Sequence, residues 1–348
     1  MQLTIDLTGR EVLVAGSEKA ARQAVRRYRS AGASVIRLTE PGATAGAGAG
    51  DDSMPERPFL VAVIDDGGTG WGPLVERCLK DGIPVATEPA AGAEGHVTLV
   101  GGGPGALDLL TVGAVNALRD ADVVFYDRLA PYQELAGFTS AELVDVGKQP
   151  GLHKVTQRDI EKLMVEAALS GLNVVRLKGG DPYVFGRGGE EVAACVAAGI
   201  PVRVISGVTS AISVPAAAGI PVTHREVSHM FTVVSGHAPL TEREHTHLAG
   251  LGGTIVVLMG IGTLPQMAAG LRRAGMAKDM PMAVVERGYR PGQRTTIADL
   301  GTIETAAIGC TNPAVLVIGE VVRVAEANRN HAEASAELDR LAASLLEA

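Results

Sequence analysis

The sequence feature that most constrains the fold is the repeated alternation of short apolar runs with stretches of helical period. The runs Val12–Ala15, Phe59–Ile64 and Val123–Tyr126 contain no charged residue, so strands formed there are predicted to be buried on both faces. Helical periods lie between such runs, for example at Gln157–Ser170. This alternation predicts an α/β fold in which mostly parallel sheets are covered by helices.

Two changes in the alternation divide the chain into predicted domains. A Gly/Ala-rich stretch before Val97 predicts a linker, and helices become fewer after Ile220-Pro221. Leucines at helical spacing near the C-terminus predict one more helix. We therefore expect a small Rossmann-like α/β domain over residues 1–95, two α/β subdomains over about 96–218 and 219–327 that together form a unit over 96–327, and a helical tail over 328–348.

Charge and apolar run length exclude several classes of protein. The net charge of −8 leaves no basic field that would attract nucleic acid. No apolar run reaches the roughly 18–20 residues that span a bilayer, and acidic residues interrupt the N-terminus before a signal peptide forms. Three cysteines without a CxxC pattern argue against a disulfide framework or a structural zinc site. We expect a cytoplasmic protein that contacts neither membrane nor nucleic acid.

The first glycine turn, at Gly16, has part of a dinucleotide-binding pattern. A strand precedes it and a helical stretch follows, and Ala21 fits the third small position of G-x-G-x-x-G/A. The second glycine position, where a pyrophosphate must approach the backbone, is occupied by Glu18, which adds bulk and negative charge. We therefore expect a structural βαβ unit here and do not expect NAD to bind.

Two later glycine-rich turns follow predicted strands. The first, "VGGGPG", contains Pro104, which removes a backbone N–H that a phosphate cradle would use. The second is "RLKGGDPYVFGRGGEE", in which Asp181 follows the strand and an apolar triplet lies between two glycine turns. Ligands bind at the carboxyl ends of strands in open α/β sheets, so we expect this stretch to be a ligand loop. Ribose hydroxyls or an ammonium group are suitable donors to Asp181.

Six motifs in a fixed order resemble the tetrapyrrole methylase family. They are "VGGGPGALDLLT", "ADVVFYDRL", "VGKQPG", "VVRLKGGDPYVFGRGGEE", "SGVTSAISVPAAAGIPVTHRE" and "VVLMGIGTL", and they extend from about Val97 to Ala325. They are most similar to the members that methylate uroporphyrinogen III. The N-terminal segment resembles, more faintly, the dehydrogenase domain of siroheme synthases in a degenerate form. The resemblance implies a two-subdomain tetrapyrrole methylase fold preceded by a small Rossmann-like domain.

The resemblance also implies a set of site residues. It implies a proton acceptor at Asp127, a proton donor at Lys148, S-adenosylmethionine as methyl donor with S-adenosylhomocysteine as product, no metal, and a homodimer. Ser210 departs slightly from the family pattern, in which alanine follows the threonine. The cofactor-binding positions carried over from the family motifs are Pro104, Gly179, Gly180, Asp181, Val184, Thr209, Ser210, Met259 and Gly288.

The reaction implied is C-methylation of uroporphyrinogen III at two ring carbons to give precorrin-2, for sirohaem or cobalamin biosynthesis. Because this substrate carries several carboxylates and the chain is acidic, local cations must hold it, and we expect them among Arg128, Arg187 and Arg225. Three alternatives stay open. They are a multifunctional siroheme synthase, another methylase of the same fold such as a later precorrin methyltransferase, and a non-catalytic nucleotide-binding protein.

Overall fold

The strands of the computed structural model form three sheets. The structure describes residues 5–41, 57–65, 70–90, 95–127, 129–130, 135, 137, 139–147 and 156–328. The strands in these ranges are β1 (Glu11–Ala15), β2 (Ser34–Leu38), β3 (Leu60–Asp65), β4 (Val85–Pro89), β5 (His96–Gly101), β6 (Val123–Tyr126), β7 (Glu142–Asp145), β8 (Asn173–Lys178), β9 (Val202–Ile205), β10 (Phe231–Ser235), β11 (Thr254–Leu258), β12 (Pro281–Glu286), β13 (Arg294–Asp299) and β14 (Ala314–Ile318).

Helices separate most of these strands. Side-chain caps begin several of them, as at Thr156, whose hydroxyl accepts from the Asp159 amide in a capping box. The helices are α1 (Glu18–Ser30), α2 (Gly72–Lys80), α3 (Val112–Asp120), α4 (Gln157–Leu169), α5 (Gly188–Ala197), α6 (Ser210–Ala217), α7 (Glu242–Leu251), α8 (Leu264–Arg273), α9 (Ile303–Ala306) and α10 (321–328).

The N-terminal unit is a parallel sheet in the order β2-β1-β3-β4. Packing explains its glycine turn without a ligand, because a Cβ at Gly16 would lie 2.6 Å from Cγ1 of Ile64 on β3. Ser17 caps α1 by accepting from the amide of Ala20 at 3.3 Å. The predicted Rossmann-like architecture of this part is confirmed.

The second sheet is also parallel, in the order β7-β6-β8-β5-β9. Alternate residues of its strands point to opposite faces. Leu99 and Val123 pack with residues of α4 and α5, whereas Val100 and Val124 pack with residues of α3. Both faces are therefore covered, and the loops after these parallel strands all leave from one edge, which we call the carboxyl edge.

The third sheet is mixed, in the order β10-β11-β14-β12-β13. β11 and β12 are both antiparallel to β14, so they run in the same direction and end at the same edge. Helices α7 and α8 cover one face. Ala211 and Val214 of α6 pack on the other face with Val321 of α10, so α6 belongs by packing to the third sheet. The subdomain boundary at 218/219 stays a prediction.

Helix α1 joins the N-terminal unit to the second sheet through Asp122, which directly precedes β6. The Asp122 carboxylate is buried; its Oδ2 lies 3.2 Å from Nε of Arg22 and its Oδ1 lies 3.5 Å from Nη1 of Arg26. Its Oδ2 also accepts from the Asn173 amide at 2.8 Å. Because Asp122 lies where β6 begins, the N-terminal unit is docked at the edge opposite the carboxyl edge.

The predicted fold class, α/β with mostly parallel sheets, is confirmed. Residues 329–348 of the predicted C-terminal tail lie outside the described ranges. In the part of the chain that the structure describes, no helix has both the length and the apolar character needed to cross a membrane.

The contact between α7 and α8 is tight at one point and yields a stability prediction. The imidazole of His245 is 2% exposed, and a Cβ at Gly270 would lie 2.3 Å from its Cε1. Gly270→Ala is therefore expected to lower the free energy of unfolding by about 1–3 kcal/mol through overpacking. The shift of the urea midpoint measures this effect.

Gly250→Ala is the matched control, since Gly250 lies on α7 and has open space where its Cβ would be. Alanine is the better helix former there, so this variant is expected to be more stable by about 0.5–1 kcal/mol. If Gly270→Ala proves as stable as Gly250→Ala, the predicted clash between the added methyl group and His245 is wrong.

Candidate active site

Three loops from the carboxyl edge of the second sheet meet backbone to backbone. The loop after β5 and the loop after β8 pair at one bridge, in which the Gly103 amide donates to the Gly180 carbonyl at 3.2 Å and the Gly180 amide donates back at 2.7 Å. A Cβ at Gly101 would lie 2.3 Å from the Gly207 nitrogen, and a Cβ at Gly207 would lie 2.3 Å from the Gly180 oxygen. These contacts leave no space for side chains, so glycine is required.

Asp181 fixes the loop after β8 to the loop after β9. One oxygen accepts from the Tyr183 amide at 2.8 Å and the other from the Gly207 amide at 3.1 Å. The sequence predicted a carboxylate facing a ligand, and its contacts within the described residues are to backbone amides. Each oxygen keeps a second lone pair, so the carboxylate holds the loop and remains able to accept from a bound molecule.

Three of the predicted cofactor residues lie around the start of α6. Thr209 caps this helix by accepting from the Ala211 amide at 3.3 Å, and Ser210 is its first residue. Val184 and Thr209 line an apolar pocket of about 280 Å³. The remaining lining residues are Tyr183, Phe185, Ala211, Ile212, Phe231 and Val233.

Met259 and Gly288 come from the third sheet and lie just after β11 and β12, which end at the same edge. Met259 has φ +59° and is 44% exposed. A Cβ at Gly288 would lie 2.7 Å from Cγ1 of Val214 on α6, so this glycine brings its loop against the helix that begins at Thr209.

The predicted proton acceptor, Asp127, directly follows β6 and is presented by a tight turn. Its Oδ1 accepts from the amides of Leu129 at 3.0 Å and Ala130 at 3.2 Å. Its side chain is 28% exposed and its Oδ2 lies 3.6 Å from Nη2 of Arg176. The turn packs on the Gly-Gly-Asp loop, because a Cβ at Gly179 would lie 2.6 Å from Cβ of Leu129.

A buried ion cluster lies behind Asp127 and was missed by the sequence analysis. Glu191 on α5 is fully buried, and its Oε1 lies 3.1 Å from Nε of Arg176. The Nζ of Lys178 lies 3.0 Å from Oε1 and 2.9 Å from Oε2 of the same carboxylate. The signal was present, since both cations interrupt an apolar strand, "VVRLK", and buried charges require partners.

The charges of this cluster balance when Asp127 is included. Arg176 and Lys178 carry two positive charges, and Glu191 and Asp127 carry two negative ones. Burial lowers the pKa of Lys178, and the neighbouring Arg176 lowers it further, while Glu191 opposes both effects. Burial and the charge of Glu191 raise the pKa of Cys195 to about 11, so this thiol is protonated and is not a nucleophile.

The remaining predicted residues are two that lie outside the described residues and two exposed arginines. Lys148, the predicted proton donor, and Arg128 lie outside the described residues. Arg187 is exposed before α5, where its Nε donates to Glu190 at 3.0 Å. Arg225 is exposed in the turn closed by the bridge between His224 and Ser228. Among the described residues no cluster of His, Cys, Asp and Glu could hold a metal ion.

Comparisons with known proteins identify the family. The model of the Tetrapyrrole (Corrin/Porphyrin) Methylases matches residues 96–304. An S-adenosyl-L-methionine-dependent uroporphyrinogen III methyltransferase of Methanosarcina barkeri is 47% identical over 241 residues, which are 67% of this chain and 94% of the relative. A siroheme synthase of Gluconobacter oxydans is 44% identical over 235 residues, which are 66% of this chain and 50% of the relative.

A solved structure agrees with these matches. The uroporphyrin-III C-methyltransferase of Thermus thermophilus in complex with S-adenosylhomocysteine is 40% identical, with a TM-score of 0.57, and covers 66% of this chain and 99% of that protein. The family model begins at residue 96, after the N-terminal unit, and the chain spans about half the length of the siroheme synthase. The chain belongs to the tetrapyrrole methylase family.

Proposed function

We propose that this chain is an S-adenosylmethionine-dependent uroporphyrinogen III C-methyltransferase that adds two methyl groups to give precorrin-2. The observation that carries the proposal is the contact between Asp127's turn and the Gly-Gly-Asp loop, where Leu129 covers Gly179. In that contact a carboxylate lies beside the loop to which this proposal assigns the methyl donor. The Methanosarcina barkeri relative is a uroporphyrinogen III methyltransferase and the Thermus thermophilus structure is a uroporphyrin-III C-methyltransferase, and these names support the substrate of this proposal.

The loops at the carboxyl edge fit the proposed donor. A Cβ at Gly180 would have no atom closer than 3.6 Å, so space remains beside its backbone. Asp181 retains lone pairs that suit hydroxyl or ammonium donors. Gly179 contributes by admitting Leu129 of the Asp127 turn. Val184 and Thr209 add an apolar wall. The donor supplies an electrophilic methyl group on a positively charged sulfur. The rest of the proposed cofactor-binding set comes from the carboxyl edge of the second sheet, the start of α6 and the edge of the third sheet where β11 and β12 end. These residues are Pro104, Ser210, Met259 and Gly288.

The chain's own residues contribute alignment and proton removal. In each methyl transfer the pyrrole carbon forms a C–C bond as the methyl–sulfur bond breaks, so orientation of the two reactants is the main requirement. The methylated macrocycle must then lose a proton, which the partly exposed Asp127 accepts in this proposal. Lys148 is proposed as the proton donor, and Arg128, Arg187 and Arg225 as partners of the substrate carboxylates.

The second candidate is a multifunctional siroheme synthase, since relatives of that name match the same part of the chain. Two features of the N-terminal turn disfavour it. Packing against Ile64 accounts for its glycine, and Glu18 occupies the position where a pyrophosphate must approach the backbone. Reduction of NAD in the presence of precorrin-2 would restore this candidate.

The proposal includes a homodimer in the cytoplasm. Reduced thiols support the location, since all three cysteines are free, with Cys78 and Cys195 buried. Sedimentation equilibrium tests the dimer, whose mass is expected to be twice 35.8 kDa.

The mass of the product tests the reaction. The enzyme is incubated anaerobically with S-adenosylmethionine and uroporphyrinogen III, and a gain of two methyl groups is expected. Binding of S-adenosylhomocysteine is measured in parallel. If the product gains none while S-adenosylhomocysteine still binds, the substrate belongs to another member of the family, such as a later precorrin methyltransferase.

Asp127→Asn tests the proton acceptor. Asparagine retains an oxygen that can accept from Leu129 and Ala130, so the turn is expected to persist. The variant loses the base, and kcat is expected to fall by about 10²- to 10⁴-fold. Affinity for S-adenosylhomocysteine, measured by calorimetry, is expected to stay within threefold. A wild-type kcat would remove Asp127 from the mechanism.

Glu191→Gln tests the buried cluster. The amide keeps the shape but leaves the two positive charges of Arg176 and Lys178 with Asp127 as their one negative partner in the cluster, so stability is expected to fall by about 3 kcal/mol. Arg176 is then expected to move toward Asp127 and lower kcat more than cofactor affinity. Denaturant unfolding and initial rates measure the two effects.

The control is Glu304→Gln, which breaks an exposed ion pair with Arg272. Its cost is expected to stay below about 1 kcal/mol. Equal effects of Glu191→Gln and Glu304→Gln on stability would show that the buried cluster contributes no more to stability than an exposed ion pair does.

A further inference from the structure

Arg290 reaches from the third sheet to two loops of the second sheet. It lies in the turn after β12, and its Nε donates to the Pro104 carbonyl at 3.3 Å. Its Nη2 donates to the Leu129 carbonyl at 2.5 Å. One guanidinium therefore joins three segments: the turn after β12, the first glycine loop and the turn of Asp127. The family motifs did not single out this residue.

The turn that carries Arg290 is held in an unusual conformation. Arg287 and Tyr289 have φ of +51° and +61°, which side chains rarely adopt. The Gln293 side chain stabilises the turn, since its Oε1 accepts from the Tyr289 amide at 2.9 Å and its Nε2 donates to the Ala217 carbonyl at 2.9 Å. Backbone strain of this kind persists only where surrounding contacts hold it. The contacts of Gln293 therefore fix the direction in which the Arg290 side chain leaves the turn.

Leu129 connects Arg290 to both Asp127 and Gly179. Its amide donates to Oδ1 of Asp127 at 3.0 Å, and its carbonyl accepts from Arg290. Its Cβ occupies the space that a side chain at Gly179 would need. Arg290 thus holds, through a single residue, both the orientation of Asp127 and its distance from the Gly-Gly-Asp loop. The same guanidinium also donates to the Pro104 carbonyl, so it holds the loop after β5 together with the Asp127 turn.

We propose that Arg290 is a positioning residue that aligns the Asp127 turn with the loops at Pro104 and Gly179. This inference rests on the proposed function, in which those loops hold the methyl donor and Asp127 accepts the proton. Two carbonyl acceptors at different positions match the fork of a guanidinium, whereas a lysine ammonium serves one of them well. Alignment, rather than binding of the porphyrinogen, is therefore the quantity that Arg290 controls.

Arg290→Met and Arg290→Lys test the proposal in the full-length enzyme. In Arg290→Met, kcat with uroporphyrinogen III is expected to fall 10- to 50-fold, with the KM for the porphyrinogen within threefold. The Kd of S-adenosylhomocysteine is expected to rise three- to tenfold, with binding stoichiometry unchanged. Arg290→Lys is expected to recover at least a third of the wild-type kcat. Arg287→Met, an exposed arginine of the same turn, is the matched control and is expected to stay within twofold.

Two outcomes would overturn the proposal. One is a wild-type kcat and Kd in Arg290→Met. The other is a fall in kcat that parallels a fall in binding stoichiometry, because that pattern means loss of folded protein. If the unaltered enzyme does not methylate uroporphyrinogen III, the proposed function fails. The positioning role of Arg290 is then judged from the Kd of S-adenosylhomocysteine alone. A raised Kd in Arg290→Met then supports the positioning role, and an unchanged Kd overturns it.

Discussion

The close approach of three backbones at the carboxyl edge is the constraint on which the rest of the site depends. The loops after β5, β8 and β9 meet at Gly101, Gly180 and Gly207. A Cβ at Gly101 would lie 2.3 Å from the Gly207 nitrogen, and a Cβ at Gly207 would lie 2.3 Å from the Gly180 oxygen. Since the strands are parallel, these loops must leave from one edge, and glycine is what lets them meet there. Asp181 then secures the contact by accepting from the Gly207 amide. The meeting of these loops therefore depends on main-chain contacts more than on side chains.

Charge is buried directly beneath this contact. Lys178 ends β8 immediately before the Gly-Gly-Asp loop, and Glu191 on α5 neutralises it together with Arg176. A buried ion cluster is a poor source of stability but a strong orienting device when all its members are paired. Here it extends from the sheet core to Asp127, whose carboxylate is partly exposed. One oxygen of Asp127 faces the buried Arg176, and the other accepts from the amides of Leu129 and Ala130.

Sequence analysis predicted the architecture well because alternating apolar runs and helical periods are local signals. The sequence also predicted a turn that binds a ligand at Gly179 and Gly180. The structure has this stretch at the carboxyl edge, where Gly180 pairs with Gly103, and ligand binding there stays a prediction. The partners of Asp181 were not predictable, because the Gly207 amide lies in the loop after β9 and only the sheet order brings it near. Arg290 was invisible for the same reason: its acceptor Leu129 lies 161 positions away along the chain.

The N-terminal unit is attached in a way that leaves the methylase intact. Asp122, which receives Arg22 and Arg26, already accepts from the Asn173 amide within the second sheet. The added unit therefore shares an acceptor that the methylase needs for itself, and it docks on the edge opposite the carboxyl edge. Its two arginines compensate a buried carboxylate that belongs to the second sheet. The sequences of the two units are consequently coupled at this one contact, because a change at Arg22 or Arg26 alters the charge balance around Asp122.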